Sequence, residues 1–199
     1  MEFLLYLFDA IFTILPEFKA KCVSSINSTT TCSVCLNSVK SLQTFSTLPL
    51  PLRSSIEEGL DSVTCTEYLT EDNPWFCTTC DTYCIAERSS KISSLPQFFT
   101  LQMKRFSYSN NCVVKDDTRV DFKLDDFQLY SNDDDIQFKH IYNLAAFVIH
   151  SGSCMTGHYK AAVRRGKQWY LCNDQVVRPI QKEELNKFSP YILFYNRHQ

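Results

Sequence analysis

Two cysteine pairs constrain this chain more than any other feature. They are Cys32-Ser33-Val34-Cys35 and Cys77-Thr78-Thr79-Cys80, with residues 36–76 between them. A C-x-x-C can offer two thiolates to one tetrahedral ion from a single tight turn, and zinc is the ion that four thiolates suit. Uniting the pairs closes a loop longer than that of a compact zinc finger. Closure entropy grows only with the logarithm of loop length, so the extra cost is small. Four protein ligands leave no open coordination position, and the expected centre is therefore structural. Two alternatives stay open here: unliganded thiols, and a redox pair, although neither C-x-x-C opens a helix after a strand as a redox pair does.

The compartment decides how the other cysteines are read. Ten in 199 residues is below the density of small disulfide-stapled secreted domains. The opening stretch 1–15 is apolar, but Glu2 and Asp9 interrupt it and the first basic residue is Lys19. A secretory leader wants positive charge in front and an unbroken apolar middle. The stretch is also too short to span a bilayer. The sequon Asn27-Ser28-Thr29 has meaning only on the secretory route. We read the protein as intracellular, in cytoplasm or nucleus, with no membrane association and with reduced thiols. Paired cysteines then point to metal or catalysis. Cys22, Cys65, Cys84 and Cys112 have no partner at metal spacing and are expected as small buried residues. With 20 basic against 22 acidic residues and the run Asp133-Asp134-Asp135, the charge balance argues against a nucleic-acid partner.

The rest of the chain reads as α+β. Phe3, Leu4, Leu7, Phe8, Ile11 and Leu15 form one helical stripe, so a helix over 3–15 is expected to pack on something larger and to end at Pro16. The stripe is at full strength from the second residue with no capping side chain before it, as in a chain cut within a helix. Residues 22–47 are rich in Ser and Thr; residues 48–74 hold Leu-Pro repeats and a polar helical stretch around Ile56–Leu60. After Pro96, Phe99, Leu101 and Met103 alternate with polar residues as in a half-buried strand. An acidic loop is expected over 116–135. Strands are expected at Leu144–His150, Tyr159–Arg164, Trp169–Asn173 and Tyr191–Tyr195. Helix comes first and antiparallel sheet last.

One hairpin carries chemistry. Gly166 is the expected turn, with His158 eight residues before it, Asn173 seven after and Asp174 eight after. Equal arms of an antiparallel hairpin bring their far ends together. An imidazole can then meet an amide or a carboxylate, which suits a general base held by a third group, as in a Cys-His-Asn triad. An ordinary surface pair would look the same. Gly152 and Gly157, without side chains, either admit a substrate backbone or simply turn the loop.

Several segments together resemble the ubiquitin-specific proteases, the papain-like cysteine deubiquitinases. They are Gly157-His158-Tyr159, Trp169-Tyr170-Leu171-Cys172-Asn173-Asp174, Leu95-Pro96 running into Leu101-Gln102-Met103-Lys104-Arg105-Phe106, and Tyr191-Ile192-Leu193-Phe194-Tyr195. Glu2-Phe3-Leu4-Leu5 is similar to the end of that family's Gln-Glu-Phe-Leu segment, and the resemblance runs over essentially the whole chain in order. It implies a partial catalytic domain: 1–20 the remnant of a helical thumb, 21–94 zinc-ribbon fingers, and 95–199 a palm of antiparallel sheet. By the resemblance His158 is the catalytic base, Asn173 the third triad member and Asp174 a polar helper. Cys32, Cys35, Cys77 and Cys80 hold structural zinc. Glu2 contacts the basic tail of ubiquitin, while Gly157 and Tyr159 line the channel for its terminal glycines. The partner is ubiquitin or a ubiquitinated protein, and the reaction is thiol-dependent hydrolysis of the isopeptide bond after ubiquitin's last glycine.

The departure is the nucleophile. The family's Asn-x-x-Cys box precedes the Gln-Glu-Phe segment, and here Met1 stands at the Gln position, so the helical part bearing that cysteine is absent from these residues. Cys154 and Cys172 lie near the hairpin, but neither has the helix N-terminus that lowers a thiol pKa, and Cys172 alternates away from Asn173. The expectation is a deubiquitinase portion that is inactive alone. The competing expectation is a catalytically dead module that still binds ubiquitin or another protein. A zinc-ribbon nucleic-acid protein is disfavoured by the charge.

Overall fold

A computed structural model of the chain describes residues 2–109, 112–133, 136–154 and 156–198. The side chains of Glu2 and Asp133 lie outside that description. The elements run α1 Glu2–Ile14, α2 Pro16–Lys19, β1 Ser24–Cys32, β2 Ser38–Phe45, β3 Leu48–Leu50, α3 Ile56–Thr64, β4 Glu67–Leu69, β5 Trp75–Cys77, β6 Thr82–Cys84 and β7 Ala86–Ser94. They continue with β8 Phe98–Met103, β9 Phe106–Ser109, β10 Cys112–Lys115, β11 Phe127–Asp133, β12 Ile136–Gly152, β13 Gly157–Arg165, β14 Gln168–Asn173, β15 Val176–Ile180, α4 Lys182–Leu185 and β16 Pro190–Arg197.

The larger sheet has the order β15-β14-β13-β12-β16-β8-β3, with β11 also paired to β12. All its pairings are antiparallel except β3 with β8. The 17-residue β12 is its spine, because successive parts of it pair with β11, β16 and β13. One continuous apolar core includes Leu50, Ile56, Phe99, Leu101, Met103, Phe127, Tyr142, Phe147, Trp169, Leu193 and Tyr195. Arg105 is buried beside it. Its guanidinium donates to the carbonyls of Pro190 at 2.8 Å, Asp116 at 3.0 Å and Thr118 at 2.8 Å, which pins the acidic loop to the start of β16.

The second sheet, β2-β1-β7-β4, is built differently. The buried face of β1 holds Ser24, Ile26, Ser28, Thr30 and Cys32. Hydroxyls join its strands: Ser28 to Ser90 at 2.8 Å, Ser25 to Ser93 at 2.8 Å, and Thr30, which accepts from Arg88 at 3.2 Å. At its far end the only apolar cluster among the described residues is Cys32, Cys77 and Cys84 with Trp75 and Cys80. A sheet so short of hydrocarbon needs another cross-link to hold its tip.

The sequence expectations meet four differences. The acidic loop ends at Asp126, and β11 follows because Phe127, Leu129 and Ser131 are buried in alternation with exposed Gln128 and Tyr130. The Ser/Thr-rich 22–47 stretch forms two strands, since β-branched threonines suit a pleated surface even without apolar alternation. β15 contains Pro179 and is tolerated because it lies at the sheet edge. The stripe of α1 does form a helix, but it lies open: Phe3 is 78% exposed, Leu7 42% and Leu15 47%, with Phe8 alone buried among the described side chains of α1. As expected, α1 stops before Pro16, at Ile14, and Pro16 then opens the short α2, where a missing N–H costs nothing.

Candidate functional site

The site lies at the end of the β13–β14 hairpin away from its turn. Arg165 pairs with Gln168, so the turn is the dipeptide Gly166-Lys167, with Gly166 at φ 59°. The centre of symmetry therefore falls after Gly166 rather than on it. This half-step matters, because shifting a register by one residue reverses which face a side chain shares. Ala161 pairs with Cys172, so one rung further Asn173 stands beside Lys160, and His158 is its diagonal neighbour on the same face. A turn centred on Gly166 itself would have matched His158 with Asp174.

The side chains follow the register. His158 Nε2 is hydrogen-bonded to Asn173 Oδ1. The carbonyl oxygen can only accept, so the ring proton sits on Nε2 and the lone pair on Nδ1. Asp174 Oδ2 is 3.8 Å from Nε2, too far for a hydrogen bond. His158 keeps 44% of its side chain open to solvent, so Nδ1 is accessible to a reacting group. Asp174 holds a left-handed φ of 51° at the β14–β15 turn, a conformation that Asp tolerates.

The inner side of this rim is set by His150, which the sequence reading did not single out. Its ring lies 4.9 Å from Tyr159 and 5.5 Å from Phe106, and its carbonyl accepts from Lys115 Nζ at 2.9 Å. Lys115 is in turn 2.7 Å from Asp117. A Cβ built on Gly157 would come within 1.8 Å of His150 Nε2, so the ring occupies the space a side chain at 157 would need. Glycine is required there for close approach. Burial, and next the nearby Lys115 charge, push the His150 pKa down. The interior signal for His150 was present: it ends the apolar run 144–149 and pairs with Tyr159.

None of the ten cysteines is hydrogen-bonded to His158 among the bonds of the described residues, and all ten are free thiols. Cys154 is exposed and donates to Val113 O at 3.2 Å; Cys172 points to the other face from Asn173. A 580 Å³ cavity lined by Asn143, Arg164, Gly166 and Arg197 lies at the turn end of the hairpin, away from the pair. Tyr159 is exposed, while the side chain of Glu2 falls outside the described set.

The cysteine centre is the second site. Cys32 and Cys77 end β1 and β5, while Cys35 and Cys80 sit in the turns that follow. The residue after each turn cysteine, Leu36 at φ 61° and Asp81 at φ 53°, is left-handed, so the two turns have the same handed exit. All four Sγ atoms lie within 4.8 Å of one another, with Cys35 and Cys77 3.6 Å apart and Cys32 and Cys80 4.0 Å apart. Ligands at a zinc–sulfur length of about 2.3 Å in a tetrahedron stand about 3.8 Å from each other. The four sulfurs could thus hold one metal ion. Backbone N–H groups of Cys35 and Val34 pull the Cys32 thiol down to about 6, toward the thiolate a metal needs. Of the other cysteines, Cys22 and Cys84 are buried as expected. Cys65 and Cys112 are exposed, because the end of α3 and the β9–β10 hairpin stand off the core.

Comparison with known proteins came out as follows. The family model described as "Ubiquitin carboxyl-terminal hydrolase" matches residues 1–195. A protein from Arabidopsis thaliana named ubiquitin carboxyl-terminal hydrolase 8 is 34% identical over 164 residues, covering 76% of this chain and 19% of its own length. A human protein named ubiquitin carboxyl-terminal hydrolase 21 is 27% identical over 181 residues, covering 87% of this chain and 32% of its own. The solved SAGA Ubp8/Sgf11/Sus1/Sgf73 DUB module bound to ubiquitin aldehyde superposes with a TM-score of 0.77 at 28% identity, over 90% of this chain and 42% of that one. A yeast SAGA DUBm structure gives a TM-score of 0.79 at 29% identity. The chain thus spans about a fifth to a third of these two curated relatives.

Proposed function

Because the chain belongs to the ubiquitin carboxyl-terminal hydrolase family, we propose that it is the palm and fingers of a cysteine-type deubiquitinase, with His158 as general base and Asn173 as the group that orients it. The observation that carries this reading is the Nε2-to-Oδ1 bond, which leaves Nδ1 unprotonated at an open sheet edge. In the reaction, Nδ1 takes the proton of a cysteine thiol and the thiolate attacks the carbonyl of ubiquitin's last glycine. The imidazolium then protonates the departing lysine amine. Water, deprotonated by the same nitrogen, releases ubiquitin from the thioester. Asp174, 3.8 Å from Nε2, is the polar helper beside the pair. Glu2, Gly157 and Tyr159 serve the incoming ubiquitin tail, Glu2 through its charge and Gly157 through its lack of a side chain. The domain reading is 1–20 thumb, 21–94 fingers and 95–199 palm, in an intracellular protein; among the described residues no helix is long and apolar enough to cross a membrane. Cys32, Cys35, Cys77 and Cys80 hold zinc, which supplies a structural cross-link and no catalytic step.

In this reading the attacking thiol is none of the ten cysteines here, since among the described residues no cysteine hydrogen bond reaches His158. The 199-residue chain alone is therefore a ubiquitin-binding unit without turnover. Incubation with a thiol-reactive ubiquitin probe tests this. A form extended to include an Asn-x-x-Cys segment is labelled, the present chain is not, and the present chain still binds ubiquitin in a titration. Labelling of Cys154 or Cys172 in the present chain, or no ubiquitin binding by either form, refutes it.

A further inference from the structure

The thiol cluster at the tip of the fingers contains a fifth member. In the β5–β6 hairpin Trp75 pairs with Cys84 and Cys77 with Thr82, so Cys77 and Cys84 share one face while Phe76 and Tyr83 share the other. Cys84 is only 7% exposed and packs in one buried cluster with Cys32 and Cys77, against Trp75 and Cys80. Its thiol makes a long, 3.7 Å contact to the carbonyl of Thr82. Among the four sulfurs within 4.8 Å of one another, Cys80 is half-buried and Cys35 exposed, whereas Cys32 and Cys77 are fully buried.

We propose that Cys84 is a reserve metal ligand, able to replace Cys80 on a zinc-class ion bound at Cys32, Cys35 and Cys77. This rests on the reading of the four cysteines as a metal centre. Cys84 lies four residues beyond Cys80 on the same hairpin, on the face of Cys77 and packed with Cys32 and Cys77; its sulfur stands outside the group of four, so the exchange has it move in as Cys80 leaves. The chemistry balances. The sulfur of Cys84 bonds the metal as its thiol proton leaves, the bond to Cys80 breaks, and Cys80 takes up a proton. Four thiolates remain on the ion throughout, with unchanged charge. The centre thus tolerates loss of Cys80, a half-exposed ligand open to alkylation or oxidation.

The test uses the whole chain with Cys80→Ser, Cys84→Ala and the double variant, loaded with zinc for stoichiometry and with Co(II) for absorption spectra. Wild type, Cys84→Ala and Cys80→Ser are each expected to hold one ion with the same sulfur-to-cobalt charge-transfer intensity. The double variant is expected to lose about a quarter of that intensity and to bind at least about tenfold more weakly. A Cys80→Ser spectrum identical to that of the double variant overturns the inference while leaving the four-cysteine centre intact. A wild-type chain that takes up neither ion overturns both. If Cys80→Ser fails to fold, the zinc-loaded wild type is alkylated until Cys80 is blocked. Retained zinc with Cys84 protected supports the exchange, and zinc lost in step with Cys80 alkylation contradicts it.

Discussion

Gly157 and His150 form a lock in which one residue's missing side chain is the other's seat. Gly157→Ala drives a methyl into a ring enclosed by Phe106 and Tyr159, so the change should cost about 1–3 kcal/mol of stability, read as a lower denaturant midpoint. An unchanged midpoint would mean that the ring leaves its seat freely. The same histidine contributes to pH dependence. Burial lowers the folded-state pKa of His150 and of His140, the first helped by Lys115 and the second by Arg197. Both rings are therefore held neutral when folded, while the unfolded chain takes up protons near pH 6.5. Their contribution is complete above about pH 6.5 and is lost as the pH falls below it, toward their depressed folded values. Melting temperature should decline through that range, and His150→Gln should flatten the decline. A melt that stays level from pH 7 to 5 would contradict the assignment.

The two sheets differ in what holds them, and that difference was only partly legible in the sequence. Phe99, Leu101 and Met103 announce β8 because a half-buried strand alternates apolar with polar residues. β1 was hidden because its buried positions, apart from Ile26, are Ser, Thr and Cys, which read as loop. β11 was hidden by the acidic residues on either side of its alternating Phe127 and Leu129. The His158–Asn173 juxtaposition could be read from arm lengths. The two-residue turn that decides which of Asn173 and Asp174 shares the histidine's face could not, since that depends on half a step of register. The position of Cys84 was equally invisible, because only strand pairing places it on the face of Cys77. From the hydroxyl-rich interior of the fingers follows an element-level prediction. Chelation should abolish amide-exchange protection over residues 30–40 and 75–88, while β8, β12 and β16 stay protected. Equal protection with and without chelator would show that metal does not hold the fingers. Asp125 ties β13 to α4 by bonding Arg164 and, at 2.6 Å, Lys182; these partners hold its carboxyl below the usual range. Asp125→Asn should lower stability by about 1 kcal/mol at neutral pH, a difference that disappears as acid protonates the wild-type carboxyl below about pH 4.

At the scale of the whole molecule, the long β12 carries the proposed catalytic rim at one end and the β11 ribbon at the other, while α1 presents an uncovered apolar stripe. An open patch of that kind favours association. The chain should sediment with a mass that rises with concentration, and Phe3→Glu with Leu7→Lys should return it to a monomer; a wild type monomeric at every concentration would show that the stripe is harmless. The fold's work is to set one imidazole in one tautomer, and that can be read directly by nitrogen NMR of the histidine rings near pH 8. The account predicts that His158 carries its proton on Nε2 with a bare Nδ1, and that Asn173→Ala turns this into a mixture of both forms. A proton on Nδ1, or a tautomer indifferent to Asn173, would contradict it.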